Sequence, residues 1–204
     1  MLKFPAMLDA LFPIVEGHGD VFAVPELLRR LAHERFQNYQ LNILTPFRLS
    51  RGKIVVDREL ARAVELGARK LAAHGGAGAI LVLFDADDDC PGTLGPLLLQ
   101  RIAMTRPALL SAVVLAKREY ESWFLASAIA LRGRNAINDD AAPPPDPEAV
   151  RDAKGYMEQR LLRPGAKYSE TIDQVALTAS MDFDEAMVCP SFQKFYRDMA
   201  RLLT

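Results

Sequence analysis

The stretch LVLFDADDDCPG, residues 81–92, places four aspartates within five positions directly after a run of large apolar side chains. Two carboxylates about 5 Å apart repel each other by about 3 kcal/mol at an effective dielectric constant of about 20. Water, a basic side chain or a metal ion has to offset that repulsion. These residues are therefore the first candidates for chemistry in the chain.

Two further acidic pairs also follow apolar segments, so that three pairs stand at predicted strand ends: Glu16 with Asp20, Asp85 with Asp87, and Glu119 with Glu121. Ligands of an open parallel sheet bind at the carboxyl ends of its strands, so the pairs are expected to meet. Their hard oxygen atoms suit Mg²⁺ or Mn²⁺. Two such ions about 4 Å apart could activate a water and stabilise the leaving oxygen in phosphodiester cleavage. Helix N-capping explains any one pair equally well, but not the coincidence of three.

Basic residues near these pairs are candidates for phosphate contacts. Arg48, Arg51 and Lys53 share one polar loop, Lys117 and Arg118 precede Glu119, and Lys154 and Lys167 follow later in the chain. A lysine at a helix entrance could meet a transition-state phosphate, and Lys167 precedes Ser169, a predicted helix N-cap.

The histidines give a weaker signal. His18 lies beside the proposed centre and is a candidate substrate contact, although an exposed turn histidine explains it more simply. Three scattered histidines do not indicate a zinc site, and no spacing indicates a nucleophilic triad.

Continuous apolar strands alternate with helical patterns up to about residue 135, which predicts a parallel sheet covered by helices on both faces. Residues 57–76 predict a helix with Asp57 as N-cap and Gly75 as its stop, and residues 39–53 predict another strand and a polar loop. A proline-rich connector follows, and helices are predicted at about 147–162, 169–180 and 190–203. We therefore expect an α/β core over 1–135 and a helical extension, 136–204, packed on it.

Composition narrows the function classes. The chain has 204 residues, with 25 basic against 26 acidic side chains and a net charge of −1, so bulk attraction to nucleic acid is not expected. The two cysteines form no CxxC and indicate reduced thiols in the cytoplasm. No stretch approaches the roughly 20 apolar residues of a membrane span, and the apolar opening predicts a first strand rather than a signal peptide.

The motifs VEGHGD, DADDD and REYESW resemble those of the Toprim fold, which topoisomerases, DnaG-type primases and overcoming-lysogenization-defect nucleases share. In that superfamily, a glutamate after the first strand and an Asp-x-Asp after a later strand bind magnesium. Glu16 matches the first position, and Asp85 with Asp87 matches the second.

The overcoming-lysogenization-defect nucleases add three further positions to this resemblance. They carry an acid four residues after the first glutamate, which Asp20 matches. They also use an acid after the third strand, which Glu119 or Glu121 matches, and a late lysine. The late lysine corresponds to Lys167 or Lys154.

A pattern running along nearly the whole chain is similar to the Toprim-like domain-of-unknown-function family 4276. Its segments here are VEGHGDVFAVPELLRR, LFDADDDCPGTLGP, AKREYESWFLAS, AKYSETIDQVALTASMD and CPSFQKF. This resemblance implies an ATPase partner and a setting in mobile-element or phage defence.

We therefore expect a Toprim-like (Rossmann-like) α/β fold and a Mg²⁺- or Mn²⁺-dependent phosphodiesterase acting on DNA or RNA. The predicted catalytic residues are Glu16, Asp85, Asp87 and Lys167; the predicted metal ligands are Glu16, Asp20, Asp85, Asp87, Glu119 and Glu121; the predicted substrate contacts are His18, Arg48, Arg51, Lys117 and Lys154. The near-neutral charge favours an alternative, a non-catalytic or partner-gated module that docks on an ATPase. A phosphotransfer enzyme acting on a small nucleotide is the third hypothesis.

Overall fold

The computed structural model describes residues 8–75 and 77–204. In this part of the chain, five strands form one sheet. Four of them stand in the order β2-β1-β4-β5. The fifth, β3, pairs with the C-terminal end of β1, whereas β2 pairs with its N-terminal end. Every pairing is parallel, which confirms the predicted α/β class. The strands are β1 (Ala10–Val15), β2 (Asn42–Ile43), β3 (Phe47–Arg48), β4 (Gly78–Asp85) and β5 (Leu110–Ala116).

The helices fill the connections and most of the C-terminal third. They are α1 (Asp20–Phe36), α2 (Arg51–Ile54), α3 (Asp57–His74), α4 (Pro91–Thr105), α5 (Glu121–Ala126), α6 (Ala153–Tyr156), α7 (Asp173–Thr178), α8 (Phe183–Ala186) and α9 (Pro190–Leu203), with a 3₁₀ turn at Pro147–Ala149 and a π-helical turn at Met157–Leu161. Gly75 ends α3 with φ of 89°, as predicted.

Two helix predictions for the C-terminal third are wrong in extent. The stretch 147–162 is divided into a 3₁₀ turn, α6 and a π-helical turn, and α7 begins at Asp173 rather than near 169. Ser169 is not the N-cap, because Ile172 immediately precedes the helix; the Ser169 N–H donates to the Asp173 carboxylate at 2.8 Å. Asp57 is the first residue of α3 rather than its N-cap.

Alternate strand residues face opposite sides of the sheet, and each side has its own apolar core. Leu81, Leu83 and Val114 belong to the core that α1, α5, α7 and α9 cover. Ile80 and Val82 belong to the other core, which α3 and α4 cover. Because both faces are buried, the strands read as continuous apolar runs.

The C-terminal third packs on the first of these cores. Trp123 of α5 is fully buried, and its ring contacts Phe192 and Phe195 of α9 with centroid separations of 5.2 and 5.7 Å. The Trp123 indole N–H donates to Ser191 Oγ at 2.9 Å. The segment predicted as an extension therefore completes one side of the sheet, and a domain boundary near residue 135 stays a prediction.

The N-terminal prediction of a first strand is confirmed for Ala10–Val15; residues 1–7 of that opening stretch lie outside the described residues. Among the residues that are described, no helix has both the length and the apolar character needed to cross a bilayer. Cys90 and Cys189 are free thiols, the first exposed and the second buried.

Gly67 in α3 provides a test of how closely the helix packs on the sheet. A Cβ built there would lie 2.5 Å from Phe12 Cδ1 and 2.8 Å from Ile80 Cδ1. Gly67→Ala is therefore expected to lower the free energy of unfolding by about 1–3 kcal/mol, measured by urea denaturation. Gly52→Ala is the control, because nothing lies within 4 Å of its added Cβ; an equal loss in both variants would contradict the packing argument.

Candidate functional site

Three strand ends bring acidic side chains to one cavity at the carboxyl end of the sheet. Glu16 follows β1 directly, Asp85 is the last residue of β4, and Glu121 begins α5 after β5. The carboxylate cavity measures about 150 Å³ and is lined by Glu16, Gly17, Asp20, Asp85, Glu121, Lys154, Glu170 and Gln174. Four of the six predicted metal ligands are thus neighbours in space.

The carboxylates of this cavity are costly to ionise. Burial raises the pKa of Glu121, which is 1% exposed, to about 7. Burial, and then the charges of Glu121 and Asp20, raises the pKa of Asp85 well above its ordinary value. Burial also raises the pKa values of Glu16, Asp20 and Glu119. The site therefore concentrates negative charge that the fold alone does not fully compensate.

Lys154 supplies the main positive charge among these carboxylates. Its Nζ lies 2.7 Å from Glu170 Oε1 and 3.9 Å from the Oε2 atoms of both Glu119 and Glu121. Burial lowers the Lys154 pKa, but Glu121 and the hydrogen bond to Glu170 raise it further, so the net shift is upward. The ammonium therefore stays protonated.

Two side chains from the C-terminal third fix the orientation of the carboxylates. Gln174, which is buried, donates from Nε2 to Asp20 Oδ1 at 2.8 Å, while the Gly17 N–H donates to Asp20 Oδ2 at 2.8 Å. The Tyr168 hydroxyl donates to Glu121 Oε1 at 2.9 Å. Sequence reasoning assigned no role to Gln174, Tyr168 or Glu170.

The only sequence signal for these three residues was their place in the segment AKYSETIDQVALTASMD. That segment was singled out by resemblance, without a role for its polar side chains. Gln174 and Asp20 stand 154 positions apart, so no local pattern connects them.

The remaining two predicted metal ligands line a second, adjacent cavity of about 110 Å³, whose lining is Asp87, Asp88, Arg118, Glu119 and Arg151. Asp87 has φ of 48°, in the left-handed region, and its carboxylate pairs with Arg51 at 3.4 Å. Arg118 and Arg151 both contact Asp88 Oδ1, at 2.6 and 3.2 Å. This cavity therefore combines acidic and basic side chains.

The predicted substrate contacts are not all near the carboxylates. His18 is exposed in the turn between β1 and α1 and does not line the carboxylate cavity. Arg48 donates to the Glu16 carbonyl oxygen at 3.4 Å and lies close to it. Arg51 is engaged with the loop after β4, because it pairs with Asp87 and Asp89 and donates to backbone carbonyl oxygens there.

The two late lysines occupy different surroundings. Lys154 lines the carboxylate cavity, whereas Lys167 is 79% exposed and pairs with Glu158 at 2.6 Å. Lys117 lies apart from both, beside β5, and lines two larger cavities. The structure thus brings Lys154, not Lys167, to the acidic cluster.

The donor set fits a hard divalent cation by its chemistry. Three buried carboxylate oxygens, Glu16 Oε2, Glu119 Oε2 and Glu121 Oε2, have no hydrogen-bond partner in the described part of the chain. Within residues 8–75 and 77–204, however, no three His, Cys, Asp or Glu side chains are placed so that together they could hold a metal ion. The Lys154 ammonium lies 3.9 Å from two of these oxygens, Glu119 Oε2 and Glu121 Oε2.

The Gln174 amide is expected to matter for the stability of the cavity. Gln174→Met removes a donor from a buried carboxylate and is expected to lower the free energy of unfolding by about 1–3 kcal/mol at pH 8, measured by urea denaturation. Gln100→Met on the exposed face of α4 is the matched control. Equal stability of Gln174→Met and the wild type would show that Asp20 does not depend on this bond.

Comparison with known proteins places the chain in a family. A solved structure of the C-terminal region of the Burkholderia pseudomallei OLD protein is similar, with 12% sequence identity and a TM-score of 0.48 over 98% of this chain and 100% of that chain. So distant a likeness carries no activity over. No curated protein matches. The family model "Domain of unknown function (DUF4276)" matches residues 15–200, and the chain therefore belongs to that family.

Proposed function

We propose that this protein is a Toprim-like phosphodiesterase that cleaves DNA or RNA with the help of Mg²⁺ or Mn²⁺. The observation that carries the proposal is the carboxylate cavity, where strand-end acids lie together beside a charged lysine. The resemblance of VEGHGD and DADDD to Toprim motifs supports it, since Glu16 and Asp85 belong to those motifs and line this cavity. A setting in phage or mobile-element defence is part of the same proposal.

The residues that would hold the metal are Glu16, Asp20, Asp85 and Glu121, with Asp87 and Glu119 in the adjacent cavity. A bound divalent ion supplies stabilisation of negative charge on a phosphoryl oxygen. The chain itself supplies orientation, because Gln174 and Tyr168 hold two of these carboxylates. Burial of the acids makes their uncompensated charge unfavourable and so favours uptake of a cation.

Lys154 is the lysine best situated to act on a phosphate. Its ammonium keeps its proton, since carboxylates surround it, and it is partly open to solvent. A protonated lysine stabilises the charge that develops on a phosphate in the transition state. Arg118 and Arg151 of the adjacent cavity are further candidates for phosphate contacts.

Cleavage assays test the proposal. Labelled single- and double-stranded DNA and RNA are incubated with the protein and Mg²⁺, Mn²⁺ or EDTA. We expect metal-dependent products that Glu16→Gln and Asp85→Asn reduce at least about 100-fold, since several kcal/mol of charge stabilisation are lost. Glu65→Gln is the matched control, because that carboxylate pairs with Arg106 away from the cavity. Undiminished cleavage by Glu16→Gln and Asp85→Asn would refute the proposed site.

A partner-gated module that docks on an ATPase is the second candidate, and one observation favours it. The net charge of −1 gives the chain no bulk attraction to nucleic acid, so a partner would have to supply that attraction. In that case cleavage should arise only in a complex with the ATPase. Efficient cleavage by the isolated chain would exclude this candidate. The cavity of about 150 Å³ does not favour the small-nucleotide hypothesis, because small-molecule sites are usually about 300–1,000 Å³.

A further inference from the structure

A groove lies beside β5, the last strand of the sheet, near the candidate site. Its largest apolar part is a cavity of about 400 Å³ between the first turns of α4 and α9, with Pro91, Val113, Leu115 and Pro190 in its walls. We call this cavity the β5-edge groove. Its volume is within the range of sites that take up a small organic group, such as one nucleobase.

The β5-edge groove connects with the acidic site through shared wall residues. A cavity of about 580 Å³ lies between them and shares Lys117, Glu148 and Pro190 with the groove. It shares Arg118 with the cavity that contains Asp87 and Glu119. Residues 117–119 therefore pass from the groove to the acidic site within two peptide bonds.

Basic side chains lie along this path among acids. Arg118 and Arg151 share one carboxylate, that of Asp88, and Asp87 and Glu119 line the same inner end. Lys117, in the middle, pairs with no carboxylate of the described residues at ion-pair distance. Lys194 at the outer end is shared between Asp198 and the Val113 carbonyl oxygen.

Two of the acids along the path are already engaged. The Glu148 carboxylate accepts the Ser191 N–H at 2.7 Å at the start of α9 and is buried. The Asp146 carboxylate caps the 3₁₀ turn that follows it. Neither group offsets the unpaired charge of Lys117 by direct contact.

From this continuity and charge we propose that the β5-edge groove binds the single-stranded nucleic acid that flanks the phosphate at the carboxylate site, an inference that rests on the proposed function. Backbone phosphates lie along Arg118 and Lys117, and one base enters the apolar cavity. A base can enter such a cavity only when it is out of the stack, so single strands are preferred over duplexes.

Cys90 gives a direct reporter of occupancy. It lines the groove and is exposed, whereas Cys189 is buried, so a thiol reagent should modify Cys90 selectively. The Thr93 hydroxyl, followed by the Gly92 and Thr93 N–H groups, lowers the pKa of the Cys90 thiol, which favours its reaction. The probe is a single-stranded oligothymidylate of about 12 nucleotides, added in EDTA so that it is not cleaved.

We expect the oligonucleotide to slow modification of Cys90 at least about fivefold, and a duplex of the same length to protect clearly less. Lys117→Ala should weaken oligonucleotide binding about tenfold, measured by fluorescence anisotropy. The salt dependence of binding should also show about one fewer counterion released. Lys70→Ala is the matched control, because Lys70 is exposed on α3 and lies over Phe12 of β1, two strands from β5. Cys90→Ala confirms the labelled site.

These outcomes distinguish a failure of the groove proposal from a failure of the phosphodiesterase proposal. Binding without protection of Cys90, or equal protection by duplex and single strand, overturns the groove proposal. Cleavage by the wild type, with Cys90 still fully reactive in the presence of the oligonucleotide, also overturns the groove proposal. That result would leave the phosphodiesterase proposal standing. Protection that Lys117→Ala removes, with no cleavage under any metal condition, supports the groove and refutes only the reaction.

Discussion

Asp85→Asn is expected to make the metal-free protein more stable than the wild type at pH 8, by about 2 kcal/mol, while it removes metal-dependent cleavage. Burial, and then the charges of Glu121 and Asp20, raises the pKa of Asp85 well above its ordinary value of 3.8. The folded chain therefore holds this proton more tightly than the unfolded chain. As pH rises from about 4 through the folded-state pKa, the wild type loses stability that the asparagine variant keeps.

Urea denaturation in EDTA at several pH values between 4 and 8 measures this effect. Over this range the two proteins should differ least near pH 4, where the folded wild type carries the proton and the unfolded wild type is about half protonated, and most at pH 8. Asp140→Asn is the control, because that aspartate is exposed in a loop. A variant less stable than the wild type at pH 8 would mean that Asp85 is stabilised as the anion, contrary to the burial argument.

Lys154→Met is expected to have the opposite effect on stability. It should lower the free energy of unfolding by about 2 kcal/mol at pH 8 in EDTA. Removing one partner of a buried ion pair costs about 3–5 kcal/mol, and we reduce this because 35% of the Lys154 side chain is exposed. Near pH 5 the loss should be smaller, since burial keeps Glu121, with its pKa of about 7, protonated and in no need of a counter-charge. Mn²⁺ should restore the stability of the variant at pH 8, because a cation that binds only the folded state stabilises it.

Lys167→Met is the matched control for this experiment. Its exposed pair with Glu158 should contribute no more than about 1 kcal/mol, and cleavage should persist. If Lys167→Met abolishes cleavage while Lys154→Met retains it, the late lysine of the Toprim resemblance is Lys167, and the role proposed for Lys154 is wrong. Melting temperatures with and without Mn²⁺, followed by cleavage assays on the same preparations, decide between the two.

These two predictions have a common physical basis. The carboxylate cavity gathers acids whose burial and mutual repulsion oppose folding, and Lys154 relieves only part of that cost. A site arranged for a divalent cation should have this property, because the charges that bind the ion are unfavourable without it. The same reasoning explains why replacing one of these acids by a neutral residue is expected to raise stability while it lowers cleavage.

The sequence by itself determined the sheet and the acidic strand ends. Apolar runs followed by acids and helical periodicity predicted the ends of β1, β4 and β5, and parallel strands necessarily bring those ends to one side of the sheet. Glu16 and Asp85 could therefore be expected together, since a residue at a strand end is positioned by local chain geometry and sheet register. For the third strand the sequence predicted Glu119 with Glu121 and did not show that Glu121 alone lines this cavity.

Tertiary structure alone decided which side chains complete the site. Lys154, Tyr168 and Gln174 reach it because the segment after the proline-rich connector folds back over α1 and α5, an arrangement set by packing and not by local periodicity. Asp87 lies two residues from Asp85, yet its left-handed backbone and its pair with Arg51 place it in the adjacent cavity. Spacing along a strand end predicts that acids are near one another; the direction of each side chain depends on loop conformation and on partners distant in sequence.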